Sequence, residues 1–359
     1  MSHDPAAANA APLSEERLIA CVRRGLRLDS SVPVDIFDAN ALSNINYVYR
    51  VAIPGKSIYL KVVPERPKHF PVELPRERVF SEAEGLRRFR ALALGEVIIP
   101  EVLFVDEQEM ALAMEDVGQG REILFDVLPE QFDLLAEQAE ALGRTLGSVH
   151  GGTRYASTPR PPREEEIIRG VIFEGLLAPG PRQLFPESWD SLNAEMQSHR
   201  ECLIHADLWS KNLLVSPGAR VAVVDFEGVC VGDPAFDLAT LIAVALVAAI
   251  ERPANIPQSM DFARSLWRAW VSACGSESWP DEVLPRTLRS TACFLAARVC
   301  GPFAYSLSQR SRERLGDLAR SLVMDPVIDL DAFGDRVTRC LVAAPSKVVT
   351  AGGQSVDAA

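Results

Sequence analysis

The chain has 359 residues, 48% of them hydrophobic and 24% charged, the balance of a folded globular protein too long for one small core. Its 49 acidic against 37 basic residues leave a net charge of −12, which excludes the concentrated basic face of a nucleic-acid binder. The longest apolar run, residues 238–250, is too short to span a bilayer, the N-terminus has no signal-peptide pattern, and the seven scattered cysteines include no Cys-x-x-Cys, so a cytoplasmic protein with reduced thiols and no membrane partner is expected.

Residues 1–12 are rich in Ala, Pro and Asn and are expected to be disordered. Ser14 is placed to cap a helix, with Leu13 and Leu18 as its staple and Leu18, Ile19 and Val22 as its apolar face. Segments 34–37, 47–53 and 57–63 are β-branched and aromatic, and Pro54-Gly55-Lys56 joins the last two as a hairpin. A helix-period segment over 77–94 follows, then two strands over 101–105 and 110–114. This order closes a small antiparallel lobe over 13–115.

From residue 116 the pattern turns helical. It predicts one helix over 129–151, a helical stretch over 165–200 interrupted at Pro179-Gly180-Pro181, and helices over 235–250, 260–274, 285–306 and 310–322. Two short strands, 213–215 and 221–224, break the series. The expected fold is thus α+β and bilobal, with a helical lobe over 116–344 and a disordered tail over 345–359.

The chemistry gathers in residues 204–239. Asp207 lies in a polar turn between the apolar lead-in Cys202-Leu203-Ile204 and a return strand, where a carboxylate can orient a hydroxyl and take its proton. Asn212, five residues on, can add a neutral oxygen ligand for Mg2+. Asp225 leaves the rim of an apolar strand and Glu227 follows on the same side; two carboxylates this close repel unless a cation lies between them. Phosphoryl transfer needs little more than such metal ligands, a base and groups on the phosphates. Asp233-Pro234 is a helix cap that can also reach acceptor hydroxyls, Asp237 braces the His205 loop, and His205 orients that loop. Trp209 offers a stacking face for an acceptor ring, while His150 is a satisfied core residue.

Taken together, His205-x-Asp207-x4-Asn212, Asp225-Phe226-Glu227 and Gly232-Asp233-Pro234-x-x-Asp237-Leu238-Ala239 resemble the catalytic core of the aminoglycoside phosphotransferase and choline kinase-like superfamily, relatives of protein kinases. The resemblance implies a protein-kinase-like bilobal fold, ATP and Mg2+ as cofactors, and a small-molecule hydroxyl acceptor. It places Lys61 on the phosphates and pairs it with Glu82, or failing that Glu84. It sets adenine against the backbone of Glu115 and Val117 beside Met114. The lid, Leu42-Ser43-Asn44-Ile45-Asn46-Tyr47, has no glycine, so Ser43 and Asn44 are the expected donors there. Ala206 stands where the family usually carries Gly. The Asp-x-Glu form, the lid sequence and the run from Glu73 to Arg78 are similar to 5-methylthioribose kinases, although the late helix offers only Arg298 where that branch pairs arginines. Three readings follow: a sugar kinase, an antibiotic-inactivating phosphotransferase, and a non-catalytic nucleotide-binding module. A neutral, arginine-bearing acceptor pocket favours the first, and an acidic one the second.

Overall fold

The computed structural model describes residues 13–43, 45–64, 66–68, 73–128, 130–154, 167 and 169–342. The expected residues 1–12, the tail over 345–359 and the lid residue Asn44 lie outside them.

Five antiparallel strands build the smaller lobe: β1 (Asp35–Asp38), β2 (Tyr47–Ile53), β3 (Lys56–Val62), β4 (Val102–Asp106) and β5 (Ala111–Glu115), in the order β1-β2-β3-β5-β4. Strand period two divides β3. Ile58, Leu60 and Val62 are buried in one core with Val51, Ala111 and Ala113 and with Leu18, Cys21 and Val22 of α1 (Glu15–Leu26). Tyr59 and Lys61 alternate with them and line the cleft below the sheet. Because β3 is the central strand, Lys61 is not an edge residue that guards against aggregation. Helix α2 (Arg78–Leu92) covers the other face, with Val79 and Ala83 packed against Leu112 and Val63.

Helix α1 is fixed by its ends. Ser14 accepts from the Arg17 N–H, and Arg17 and Arg24 reach the buried carboxylates of Glu109 and Asp106 on the β4–β5 turn, both at 2.6 Å. These arginines are half exposed, so the pairs chiefly set orientation.

The second lobe is mainly helical, around the Pro234–Ile250 helix, all of whose residues are buried. Asp233 caps it and Pro234 occupies its first position, where no backbone donor is needed. The Ile256–Ala273 helix crosses α5 (Ala139–Thr153) closely. A Cβ on Gly147 would lie 2.5 Å from the Trp270 carbonyl oxygen, and Gly143 and Gly151 abut the carbonyls of Leu266 and Cys274 in the same way. Glycines four residues apart therefore let two backbones touch. Among the described residues no helix is long and apolar enough to cross a membrane.

Several boundaries differ from expectation, each for a local reason. The single helix over 129–151 is two, α4 (Phe132–Ala136) and α5, with the break at Glu137 and Gln138; the Gln138 side chain ties that joint to the neighbouring loop, its Oε1 accepting from Val221 N–H and its Nε2 donating to Ala219 O. Pro179-Gly180-Pro181 starts a helix, Pro179–Leu184, where Gly180 admits the backbone of Ala296. The chain breaks instead at Phe185, and the segment before Pro179, the seven residues Val171–Leu177, is wound as a wider π-helix. The helices expected from 260 and 285 begin earlier, at Ile256 and Trp279, since Pro257 and Pro280 sit in their first turns. A helix over Leu330–Leu341, capped by Asp329, was not expected.

The glycine stripe gives a stability test. Gly147→Val should lower the denaturant midpoint by an amount equivalent to ~1–3 kcal/mol or more, the usual cost of overpacking. Gly170→Ala, with open space around its Cα, should be nearly neutral in the same denaturation experiment.

Candidate active site

Two small sheets deliver the polar turns. β7 (Cys202–Ile204) pairs with β10 (Cys230–Gly232), and β8 (Leu213–Val215) pairs with β6 (Glu122–Ile123) and β9 (Ala222–Val223). Residues 205–212 therefore run from one sheet to the other, and residues 224–229 return. Both turns open into a cleft of about 560 Å³ beneath β3, which Lys61, Asp207, Asn212, Asp225 and Glu227 line.

Lys61 is its electrostatic centre. Its Nζ lies 2.7 Å from Glu82 Oε1, 2.6 Å from Asp225 Oδ1 and 3.6 Å from Glu227 Oε2. Burial works to lower the Lys61 pKa, but the three carboxylates outweigh it and hold the ammonium well above its ordinary value. Glu82 and Glu227 are pushed up by burial and by the Asp225 charge, against the pull of Lys61. Glu84, the fallback partner, is exposed on the far side of α2.

Two residues not singled out from the sequence complete this group. Asn46, fully buried, donates from Nδ2 to Glu227 Oε2 at 2.6 Å and accepts from Arg78 NH2 at 2.9 Å. Arg78 is buried at the start of α2, its NH1 bonded to the carbonyls of Leu74 and Pro75. A signal existed: Arg78, Glu82, Gly85 and Phe89 recur on one helical face. The lid is thereby tied to Glu227, and Ser43 Oγ shapes it by accepting from the N–H groups of Ile45 and Asn46.

Asn212 Nδ2 donates to both Oδ2 and the carbonyl of Asp207, each at 2.8 Å. Burial and the neighbouring Asp225 raise the Asp207 pKa well above the usual carboxylate range, opposed by the Arg298 guanidinium and the Asn212 hydrogen bond. Ala206 and Asp225 both adopt the left-handed backbone region, at φ 64°, a conformation costly without glycine.

Asp237 holds that turn. It accepts from the N–H groups of His205 and Ala206, at 2.8 and 2.9 Å, and lies 3.2 Å from His150 Nε2. Trp270 Nε1 donates to His150 Nδ1, which leaves Nε2 as the proton-bearing nitrogen facing Asp237. Burial lowers the His205 pKa, and its ring accepts from Asp207 N–H and faces the Val224 carbonyl. His205 is therefore a neutral part of the loop's framework. Its ring also packs at a tilt against Phe226 and meets Phe89 of α2 edge-on, at centroid distances of 4.5 and 6.0 Å, joining the loop to the helix that carries Glu82.

Asp233 does not reach the cleft. Its carboxylate is buried against Arg286 at 2.9 Å and caps Ala235 N–H, so the expected contact with acceptor hydroxyls is replaced by an ion pair. Glu115, Val117 and Met114 line the cleft's other end, with Ser43 beneath the lid. Trp209 is also in the wall, but Arg298 already covers one of its faces.

Asp237→Ala leaves three buried donors without an acceptor, at ~1–3 kcal/mol each. Chemical denaturation should show a loss of ~3 kcal/mol or more, with Asp237→Asn, which keeps one acceptor oxygen, falling in between.

The APH model, a phosphotransferase enzyme family, matches residues 39–273. Among solved structures, the chain resembles a microcompartment-associated aminopropanol kinase at 18% identity and a TM-score of 0.51, covering 88% of this chain and 99% of that one. An amicoumacin kinase in complex with AMP-PNP and Ca2+ is similar at 14% identity and a TM-score of 0.51, covering 89% and 97%. A choline/ethanolamine kinase family protein from Mesorhizobium loti aligns at 19% identity and a TM-score of 0.43, covering 91% and 96%. No curated protein matches. The family model bears out the superfamily resemblance, whereas the narrower one to 5-methylthioribose kinases is not shown, and at such identities the solved structures speak for the fold alone. With more than half of its length matched by the family model, the chain belongs to the phosphotransferase enzyme family and is a small-molecule phosphotransferase with a bilobal, kinase-like fold acting on hydroxyl acceptors.

Proposed function

We propose that the chain transfers the γ-phosphoryl group of ATP, with Mg2+, to a hydroxyl of a small molecule, using Asp207 as the base. The carrying observation is convergence. Lys61 and Glu82 from the small lobe meet Asp225, Glu227, Asp207 and Asn212 from two turns of the large one, in a single cleft. The amicoumacin kinase, solved with AMP-PNP and Ca2+, supports nucleotide and divalent-metal use by analogy of fold.

The donor set suits a divalent ion. Among the described residues no group of three or more His, Cys, Asp or Glu is arranged to hold a metal alone. The carboxylates of Asp225 and Glu227 and the Asn212 amide oxygen would instead share it with phosphate oxygens, as Mg2+ prefers. The surplus of acid over base at Lys61 is the charge such an ion would balance. When bound, Mg2+ withdraws charge from the phosphate oxygens as the leaving oxygen departs.

The chain's own groups do the rest. Lys61, oriented by Glu82, binds the α and β phosphates. The backbone at Glu115 and Val117 receives adenine beside Met114, and the Ser43 hydroxyl, its oxygen fixed by two amide donors, can give its proton to a phosphate. Asp207 orients the acceptor hydroxyl and takes its proton while the new O–P bond forms and the bond to the ADP oxygen breaks. Burial, which raises the basicity of Asp207, suits that task, and Asn212 fixes the carboxylate's rotation.

Asp207→Ala should lower ATP-dependent phosphorylation of a responsive acceptor ~100-fold or more while Mg-ATP still binds in calorimetry. A wild type that binds ATP yet phosphorylates nothing in a broad panel of hydroxyl acceptors would sink the enzyme reading. Chelation by EDTA should abolish turnover and added Mg2+ should restore it; turnover indifferent to both would remove the metal from the account.

A further inference from the structure

The Trp279–Cys300 helix carries three arginines with different surroundings. Arg286 is bonded to Asp233 and Glu201, at 2.9 and 2.8 Å, and Arg289 to Glu195 at 2.6 Å. Further along the helix, Arg298 makes no side-chain ion pair or hydrogen bond among the described residues, although it lines the cleft beside Asp207. Its guanidinium instead lies over the Trp209 ring at 4.4 Å. Lys211, also without an ion pair among the described residues, stands 5.0 Å from the Phe125 ring and 5.1 Å from Trp209. Aromatic faces thus hold both cations while their N–H donors stay available, an arrangement that desolvation would otherwise penalise.

The surrounding wall is apolar: Ile172, Leu176, Phe236, Phe294 and Phe303 line the same cleft. Apart from the groups around Lys61 and Asp207, the carboxylates in the lining are Glu115, placed at the nucleotide end, and Asp126, both exposed to solvent. Burial depresses the Arg298 pKa, which Asp207 and Tyr305 partly offset, so an anion at this position would be welcome to the charge already there. A polycationic acceptor would meet two fixed positive charges and few acids, an arrangement that selects against it.

Resting on the kinase reading above, we propose that the acceptor is a hydroxy acid with an apolar body, its carboxylate taken by Arg298 with help from Lys211 and its apolar part by the phenylalanine-lined wall. The hydroxyl then faces Asp207, two residues from Trp209. Arg298 becomes the residue that sets specificity by charge.

The test compares three probes of one shape: phenyllactate, its primary amide, and 1-amino-3-phenylpropan-2-ol, the last replacing the acid by an aminomethyl group with the hydroxyl kept in place. Their binding is measured calorimetrically with and without ADP, and ADP binding is measured separately. Phenyllactate should bind at least about tenfold more tightly than the amino alcohol, the effect of one charge-assisted bond, with the amide between. Arg298→Gln should erase that preference and Arg298→Lys should retain part of it. Equal or tighter binding of the amino alcohol, a preference that survives in Arg298→Gln, or no binding of phenyllactate to a chain that binds ADP overturns the proposal. A chain that ignores ADP but keeps the acid preference overturns the kinase reading and with it the acceptor role, while the acid site at Arg298 stands.

Discussion

A buried ammonium among three carboxylates is the constraint on which the rest depends. Lys61 cannot be desolvated alone, and removing one partner of such a pair costs ~3–5 kcal/mol. Glu82 and Asp225, both within 2.7 Å of Nζ, meet that requirement from opposite lobes. The small lobe must therefore present the cleft face of β3, and the large lobe must bring residues 224–229 up to it. The carboxylates in turn exceed the cations that face them directly, a surplus that the proposed phosphate-bound metal would balance. That imbalance is a reason for the site to bind, not only to persist.

The surrounding framework converts this one contact into geometry. Phe89, Phe226 and His205 pack as an aromatic layer between α2 and the turn that carries Asp207. Asp237, at the start of the central buried helix, pins the strained Ala206 backbone through two amides. The lid, helix α2 and the Glu227 carboxylate are joined by the chain Arg78, Asn46, Glu227. Without glycine in the lid, this side-chain linkage fixes its position where a closer backbone approach is not available.

Much of this was legible because period and punctuation are local. The family resemblance placed Lys61 on the phosphates and preferred Glu82 to Glu84; strand alternation, which sets Lys61 on the cleft side of β3, and the three-four spacing of Val79, Ala83, Leu86 and Phe89, which turns Glu82 inward and leaves Glu84 in solvent, agree with it. What escaped depended on long-range pairing. The Gln138 side chain at the helix joint is bonded to residues 219 and 221, and Asp233 is claimed by Arg286, 53 residues later. Two helices begin earlier than the apolar pattern suggests, because Pro257 and Pro280 are accommodated in their first turns. Asn46 was in view as a lid residue, but nothing local says that its amide faces Glu227, 181 positions away.

The most direct measurement of the central claim is calorimetric titration of the wild type and Lys61→Met with ADP, with and without Mg2+. The account predicts Mg2+-dependent binding to the wild type and at least about tenfold weaker binding to the variant, since a charge-assisted contact to phosphate is gone. Equal affinity for the two proteins, or wild-type binding that ignores Mg2+, would contradict it.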